Sequence, residues 1–158
     1  MQEIKARLEI ESILFHYTSS IDSGDLESTA KIFTKGAIHS SGNIYQGYSE
    51  VFNTYKSAII FYDDEDNEVE YNRLKCSPKT KHLNTNIQYS FNADITSANV
   101  SSYFTVYQTI KSKSQIVVGG RYEDEFLLEG NWYLKLRKIY IENLGDMTFH
   151  IRSDVINL

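Results

Sequence analysis

Three side chains in this sequence have types suited to moving a proton. Asp22 falls at the C-terminal end of a helical pattern, where the helix dipole disfavours a negative charge by about 0.3–1 kcal/mol. It is either a turn residue bonding local backbone groups or a carboxylate held by something outside the helix. His82 opens a strand-like run and reads as a satisfied structural histidine or as a proton carrier. Tyr17, five residues before Asp22, is a core aromatic or a hydroxyl donor to an oxygen that gains charge. A carboxylate beside an imidazole fixes which ring nitrogen holds the proton and leaves the other free to accept one. An unperturbed imidazole titrates near ~6.5, close to working pH. Such a pair could remove a proton next to a carbonyl, while a tyrosine hydroxyl stabilises the enolate oxygen.

Other candidates have an ordinary reading beside or in place of a functional one. Tyr103 and Tyr107 alternate with Phe104 and Val106, and Tyr122 lies between Arg121 and Glu123, so each could line a pocket or form a cross-strand packing pair. Arg137 could anchor an anion at a pocket mouth or face solvent from a strand. Asp25 suits a helix N-cap. His16 projects onto a polar helical arc, and His39 and His150 have no visible partners, which reads as surface or loop for both.

The elements that must position these residues follow from periodicity. Over residues 3–21 a helical projection gathers Ala6, Ile10, Ile13, Leu14, Tyr17 and Ile21 on one arc, with Lys5, Glu9, Ser12 and His16 opposite. Ser23-Gly24 ends this helix, and Asp25 caps a second over 26–33, with Glu27 in its first turn. A short strand at 37–40, a Gly/Asn turn and a third helix at 49–61 follow, the last with Val51, Phe52, Tyr55, Ile59 and Ile60 facing a core. Residues 63–70 carry six acids in eight positions and read as a solvated loop or partly ordered insertion spanning about 62–79. From there the helical period vanishes. Four β-rich segments, at 82–91, 99–111, 115–128 and 132–142, are joined by hairpin-length turns. In the first, His82, Asn84, Asn86, Gln88 and Ser90 share one parity and Leu83, Ile87, Tyr89 and Phe91 the other; a bulge could turn members of both sets inward. Helices first and strands afterwards predict an α+β fold with a mostly antiparallel sheet.

Composition narrows the function. The 158 residues, 41% hydrophobic, suit one domain over 1–158 with a tail from about 144, and one Cys permits no internal disulfide. A net charge of −5 without a basic block argues against nucleic acid as partner. No apolar leader and no apolar run of membrane-spanning length is present, so a cytoplasmic location without a membrane partner is expected. The excess is tyrosine, 12 against one Trp, a residue that suits pocket walls as well as cores.

Three stretches together resemble a known family. The run from Phe15 to Leu26, Phe-His-Tyr-Thr-Ser-Ser-Ile-Asp-Ser-Gly-Asp-Leu, is similar to the corner between the first two helices of the SnoaL-like group in the nuclear transport factor 2-like superfamily. Thr80-Lys81-His82-Leu83, and Gly119-Gly120-Arg121-Tyr122-Glu123-Asp124 with Gly130-Asn131-Trp132, resemble its strands, and the likeness spans about residues 4–141. It implies a cone-shaped α+β barrel, a sheet curled around the first helix over an apolar cavity. It also implies work without metal or organic cofactor, on a small apolar molecule, in a homodimer or higher homo-oligomer. Members include scytalone dehydratase, bile-acid 7α-dehydratase and polyketide cyclases, and others on the fold are not catalytic. On this resemblance Asp22, His82 and Tyr17 are the catalytic set of a lyase or isomerase, with Tyr103, Tyr107, Tyr122 and Arg137 as substrate contacts. The chain departs from the dehydratases in having Ile21 before the Asp, and neither a His nor an acid between Val100 and Ile110. The alternative is a ligand-binding or dimerisation module on the same fold.

Overall fold

The computed structural model describes residues 1–152. Helix α1 (Gln2–Asp22) carries its apolar stripe through Ala6, Ile10, Leu14 and Tyr17 into the core, with Ile10 and Leu14 wholly buried. Burying such a side chain contributes about 1.5–3 kcal/mol. Its last turn buries polar groups instead, Thr18, Ser20 and Asp22, because it runs under the sheet. Gly24, at φ +76°, turns the chain, and a Cβ there would meet the Cys76 carbonyl oxygen at 1.9 Å. No other residue type fits so tight a corner.

Helix α2 (Leu26–Lys31) is capped by Asp25, whose carboxylate accepts from the Ser28 amide at 3.1 Å. The Ser20 and Thr29 hydroxyls join α1 to α2 at 2.8 Å. Strands β1 (Ala37–Ser40) and β2 (Asn43–Gln46) form a hairpin where only a turn was expected after 37–40. Helix α3 (Gly47–Ala58) starts and stops earlier than its periodicity suggested. At Ile59 the backbone turns extended (φ −79°, ψ 138°), and the β-branched Ile59-Ile60 pair leads into β3 (Phe61–Tyr62). The acidic stretch is a two-stranded turn, β3 against β4 (Glu68–Val69), in which Asp63 accepts from Asn67 and Asp66 from the Lys111 amide, while Phe61, Cys76, Val69 and Tyr71 pack in a small second core.

Four long strands follow: β5 (Thr80–Phe91), β6 (Ser97–Ile110), β7 (Lys113–Glu129) and β8 (Asn131–Leu144). Neighbouring long strands pair antiparallel, and β1 joins β8 in parallel, giving the order β2-β1-β8-β7-β6-β5. The sheet is a large curled one with free edges at β2 and β5 among the described residues, rather than a closed barrel, and the helices lie in its hollow. No helix among the described residues is long and apolar enough to cross a membrane.

Two register shifts decide which side chains face that hollow. In β5 the ladder slips between Thr85 and Gln88, with Asn86 at φ 54°. Thr80, His82 and Asn84 therefore turn inward before the bulge, and Ile87, Tyr89 and Phe91 after it. In the β7–β8 ladder a slip between Glu125 and Phe126 does the same to β8: Trp132 and Leu134 point inward, then Arg137, Ile139 and Ile141.

Candidate functional site

The end of α1 and the start of β5 meet at Asp22. Its Oδ1 accepts from the Thr80 hydroxyl at 2.7 Å and lies 2.6 Å from His82 Nδ1, while Oδ2 accepts from the His82 amide at 2.8 Å. These bonds hold the carboxylate where the helix dipole alone would not. Burial works against its charge, but the bonds and charge of His82, with the Thr80 hydroxyl, hold the carboxyl below its usual range. Paired with an ionised carboxylate, His82 carries its proton on Nδ1, which leaves Nε2 as the accepting nitrogen. Both side chains are less than a tenth exposed, and the His82 ring lines a cavity of about 260 Å³. That is near the lower end of the ~300–1,000 Å³ of small-ligand sites.

The walls of this cavity are chiefly apolar, with Ile21, Ile38, Val51, Ile59, Val106 and Met147 among them. One polar group is a pair of hydroxyls, Tyr17 and Tyr55, 2.7 Å apart. Burial and the neighbouring Tyr17 push the Tyr55 hydroxyl well above its ordinary pKa, so it remains a proton-bearing donor. Tyr55 comes from α3, whose sequence pattern placed it on a core face without revealing that its hydroxyl would meet Tyr17.

The remaining site candidates separate. Tyr122 lines the cavity, stacked on Phe104 with ring centroids 4.4 Å apart. Tyr103 is 56% exposed on the outer face of β6, because Ser102, Phe104 and Val106 take the inner positions. Tyr107 shares the parity of Tyr103 and lies outside the cavity lining. Arg137 is neither solvent-facing nor at the cavity mouth. The β8 slip buries it completely, and it donates to Asp124 through Nε at 2.9 Å and Nη2 at 2.7 Å. Its guanidinium lies 4.3 Å from the Tyr17 ring centroid and 4.1 Å from that of Tyr122. Burial opposes the Arg137 charge, and Asp124 more than offsets it, so the guanidinium stays protonated.

His16 is exposed, in keeping with its polar arc. His150 corrects the sequence reading: it is not at the surface but 6% exposed, and it lines the same cavity as His82. Nothing near it in the sequence signals this, because its position is set by contacts far along the chain.

The family model described as a SnoaL-like domain matches residues 2–138. No curated protein matches the chain. Among solved structures it is similar to a proposed scytalone dehydratase from Novosphingobium aromaticivorans DSM 12444, at TM-score 0.68 and 20% identity over 92% of this chain and 89% of that one. A Mycobacterium tuberculosis protein of unknown function gives TM-score 0.67 and 20% identity over 90% of this chain and 75% of that one. ActVI-ORFA from Streptomyces coelicolor gives TM-score 0.65 and 14% identity over 86% and 96%. At these identities the likeness is one of fold.

Proposed function

The chain belongs to the SnoaL-like domain family, and on that footing we propose that it is a cofactor-independent lyase or isomerase acting on a small, largely apolar carbonyl compound. The observation that carries this reading is the contact of Asp22 with His82 on the wall of an apolar cavity. His82 Nε2 takes the proton from the carbon beside the carbonyl, and the electron pair moves onto the carbonyl oxygen. Asp22 keeps the ring oriented and stabilises the imidazolium that forms. The Tyr17–Tyr55 pair donates to the oxygen as its charge develops. In an elimination the enolate collapses, the bond to a β-hydroxyl breaks, and the His82 proton leaves with it as water. In an isomerisation the same proton returns to a different carbon.

The probe is benzylacetone in deuterium oxide, with NMR following loss of the protons beside the carbonyl; its β-hydroxy derivative reports elimination through absorbance of the conjugated ketone formed. Exchange or elimination above the solvent rate, lost in Asp22→Asn and His82→Gln, is the expected result. Binding of both compounds without exchange or elimination by the unaltered protein overturns catalysis and makes the cavity a ligand-binding site. The same family reading expects a homo-oligomer. Leu83, Tyr103 and Ile116, each about half exposed or more on the outer sheet face, are the apolar groups such contacts would cover, and sedimentation velocity checks it.

A further inference from the structure

The backbone around His150 is held by hydrogen bonds on both sides. The carbonyl of Phe149 accepts from the Tyr62 hydroxyl at 2.7 Å and from Gln108 Nε2 at 2.8 Å. The His150 carbonyl accepts from the Ile60 amide at 3.0 Å, and its own amide donates to Met147 at 2.9 Å. Gln108 and Tyr62 are both nearly inaccessible, so buried groups on β6 and β3 fix this segment against the mouth of the sheet. The imidazole so delivered lines the cavity; its Nδ1 is buried away from that space without a partner, as are the Asn84 amide, Ser102 Oγ and Arg137 Nη1, and its Nε2 makes no hydrogen bond among the described residues. A ligand group in the cavity can meet Nε2.

We propose that His150 is a substrate-binding residue, whose imidazole hydrogen-bonds a hydroxyl on the substrate while the Tyr17–Tyr55 pair meets its carbonyl. The carbonyl half of this statement rests on the function proposed above; the His150 half rests on the cavity, the anchoring and the unpaired nitrogen. Charge state agrees with the choice of group. Burial, with His82 nearby, lowers the His150 pKa to about 4, so the ring is neutral at neutral pH. A neutral imidazole offers one N–H donor and one bare acceptor, which complements a hydroxyl. A carboxylate would call for a cation, and an ammonium for two acceptors or an anion. The cavity lining includes the apolar Ile59, Val106 and Met147, and His82 lies close enough to disfavour the His150 cation. For either reaction the substrate is thereby a carbonyl compound that carries a hydroxyl, which in the elimination is the β-hydroxyl already required.

The test is calorimetric binding of two probes, benzylacetone and its β-hydroxy derivative, in the Asp22→Asn background, where the hydroxylated probe is bound and not dehydrated; the unaltered protein of this comparison carries that one change. The unaltered protein should bind the hydroxylated probe about three- to tenfold more tightly, the worth of one net hydrogen bond. His150→Phe should bring the ratio near one, and His150→Gln, which keeps a donor and an acceptor, should retain part of it. If His150→Phe fails to fold by circular dichroism, His150→Leu takes its place. A ratio near one in the unaltered protein, or an unchanged ratio in the apolar variant, overturns the proposal. Binding preference and proton exchange are separate readouts. A preference lost in His150→Phe, where the protein with Asp22 intact exchanges no protons, sinks the proposed reaction while leaving the His150 contact in place.

Discussion

Two carboxylates in this molecule are buried beside a basic side chain, and they have been put to opposite uses. Asp124 meets Arg137 through two bonds, and neither side chain has any exposed surface. Asp22 meets His82 through the ring and the backbone, and the ring remains on a cavity wall. The first pair spends its charge internally: guanidinium cannot give up its proton in a protein, and its faces are covered by Tyr17 and Tyr122. The second pair holds a group that can exist in two protonation states, with one nitrogen uncommitted. Burial and pairing are common to both, so neither feature marks a catalytic site. Each keeps an uncommitted nitrogen, since Arg137 Nη1 is also buried without a partner, and what separates them is that His82 lines the cavity and Arg137 does not.

That contrast is broken most directly at Asp22. Asp22→Asn removes the charge that stabilises the imidazolium and permits the wrong tautomer, with an expected loss of about 10³–10⁴-fold in proton exchange, by analogy with tautomer loss in acyl-transfer triads. Rates of benzylacetone exchange by NMR check it, and a loss below tenfold would place Asp22 with the structural pair. Arg137→Ala should act on stability instead, at a cost of about 3–5 kcal/mol, because Asp124, whose carboxyl burial already pushes up, is left buried without its partner. Urea denaturation measures this. Replacing both partners with apolar residues of similar size should restore most of the loss if the pair is structural.

A third expectation concerns pH and separates a histidine on the cavity from the sealed pair. His150 titrates near 4 in the folded chain against 6.5 when unperturbed, because burial and His82 disfavour its cation. Between those values the unfolded chain binds more protons than the folded one, so stability rises with pH. The contribution is complete above about 6.5 and falls away towards pH 4, by up to about 3 kcal/mol. Asp22 acts lower: its depressed carboxyl contributes above 3.8, and that contribution is lost as pH falls through its native value. Unfolding free energies at pH 7 and pH 4.5 should therefore converge in His150→Gln and differ in the unaltered protein. Equal differences in both would mean that His150 does not titrate as buried.

Much of the frame was readable because it rests on long periodic segments. The arc of α1 and the four long strands are patterns of burial repeated over many residues, and single exceptions do not hide them. The candidate site was readable where it coincided with a motif, at Tyr17, Asp22, His82 and Tyr122. Elsewhere parity failed at the bulges: Asn86 turns both halves of β5 inward, and the slip opposite Glu125 carries Arg137 into the core. A one-residue slip exchanges faces and leaves no strong trace in composition. His150 was illegible for another reason. Its burial depends on Ile60, Tyr62 and Gln108, which lie far from it along the chain.

Tyr17 belongs to both regions, and that makes it the finest test of their separation. Its ring packs on the Arg137 guanidinium, and its hydroxyl meets Tyr55 at the cavity. Tyr17→Phe keeps the ring and removes only the hydroxyl. The cation–π contact survives, so stability by urea should change by only about 0.5–1.5 kcal/mol, the worth of one hydrogen bond. Exchange should fall about tenfold, less than the ~10²–10³ for loss of a sole oxyanion donor, because Tyr55 still supplies a hydroxyl. Tyr55→Phe should behave alike, and the double variant should lose more than the two losses multiplied, since each single variant leaves a donor able to turn towards the substrate oxygen. If Tyr17→Phe instead costs several kcal/mol of stability and leaves exchange unchanged, its hydroxyl serves the sealed pair, and the division between the two carboxylates shifts by one residue.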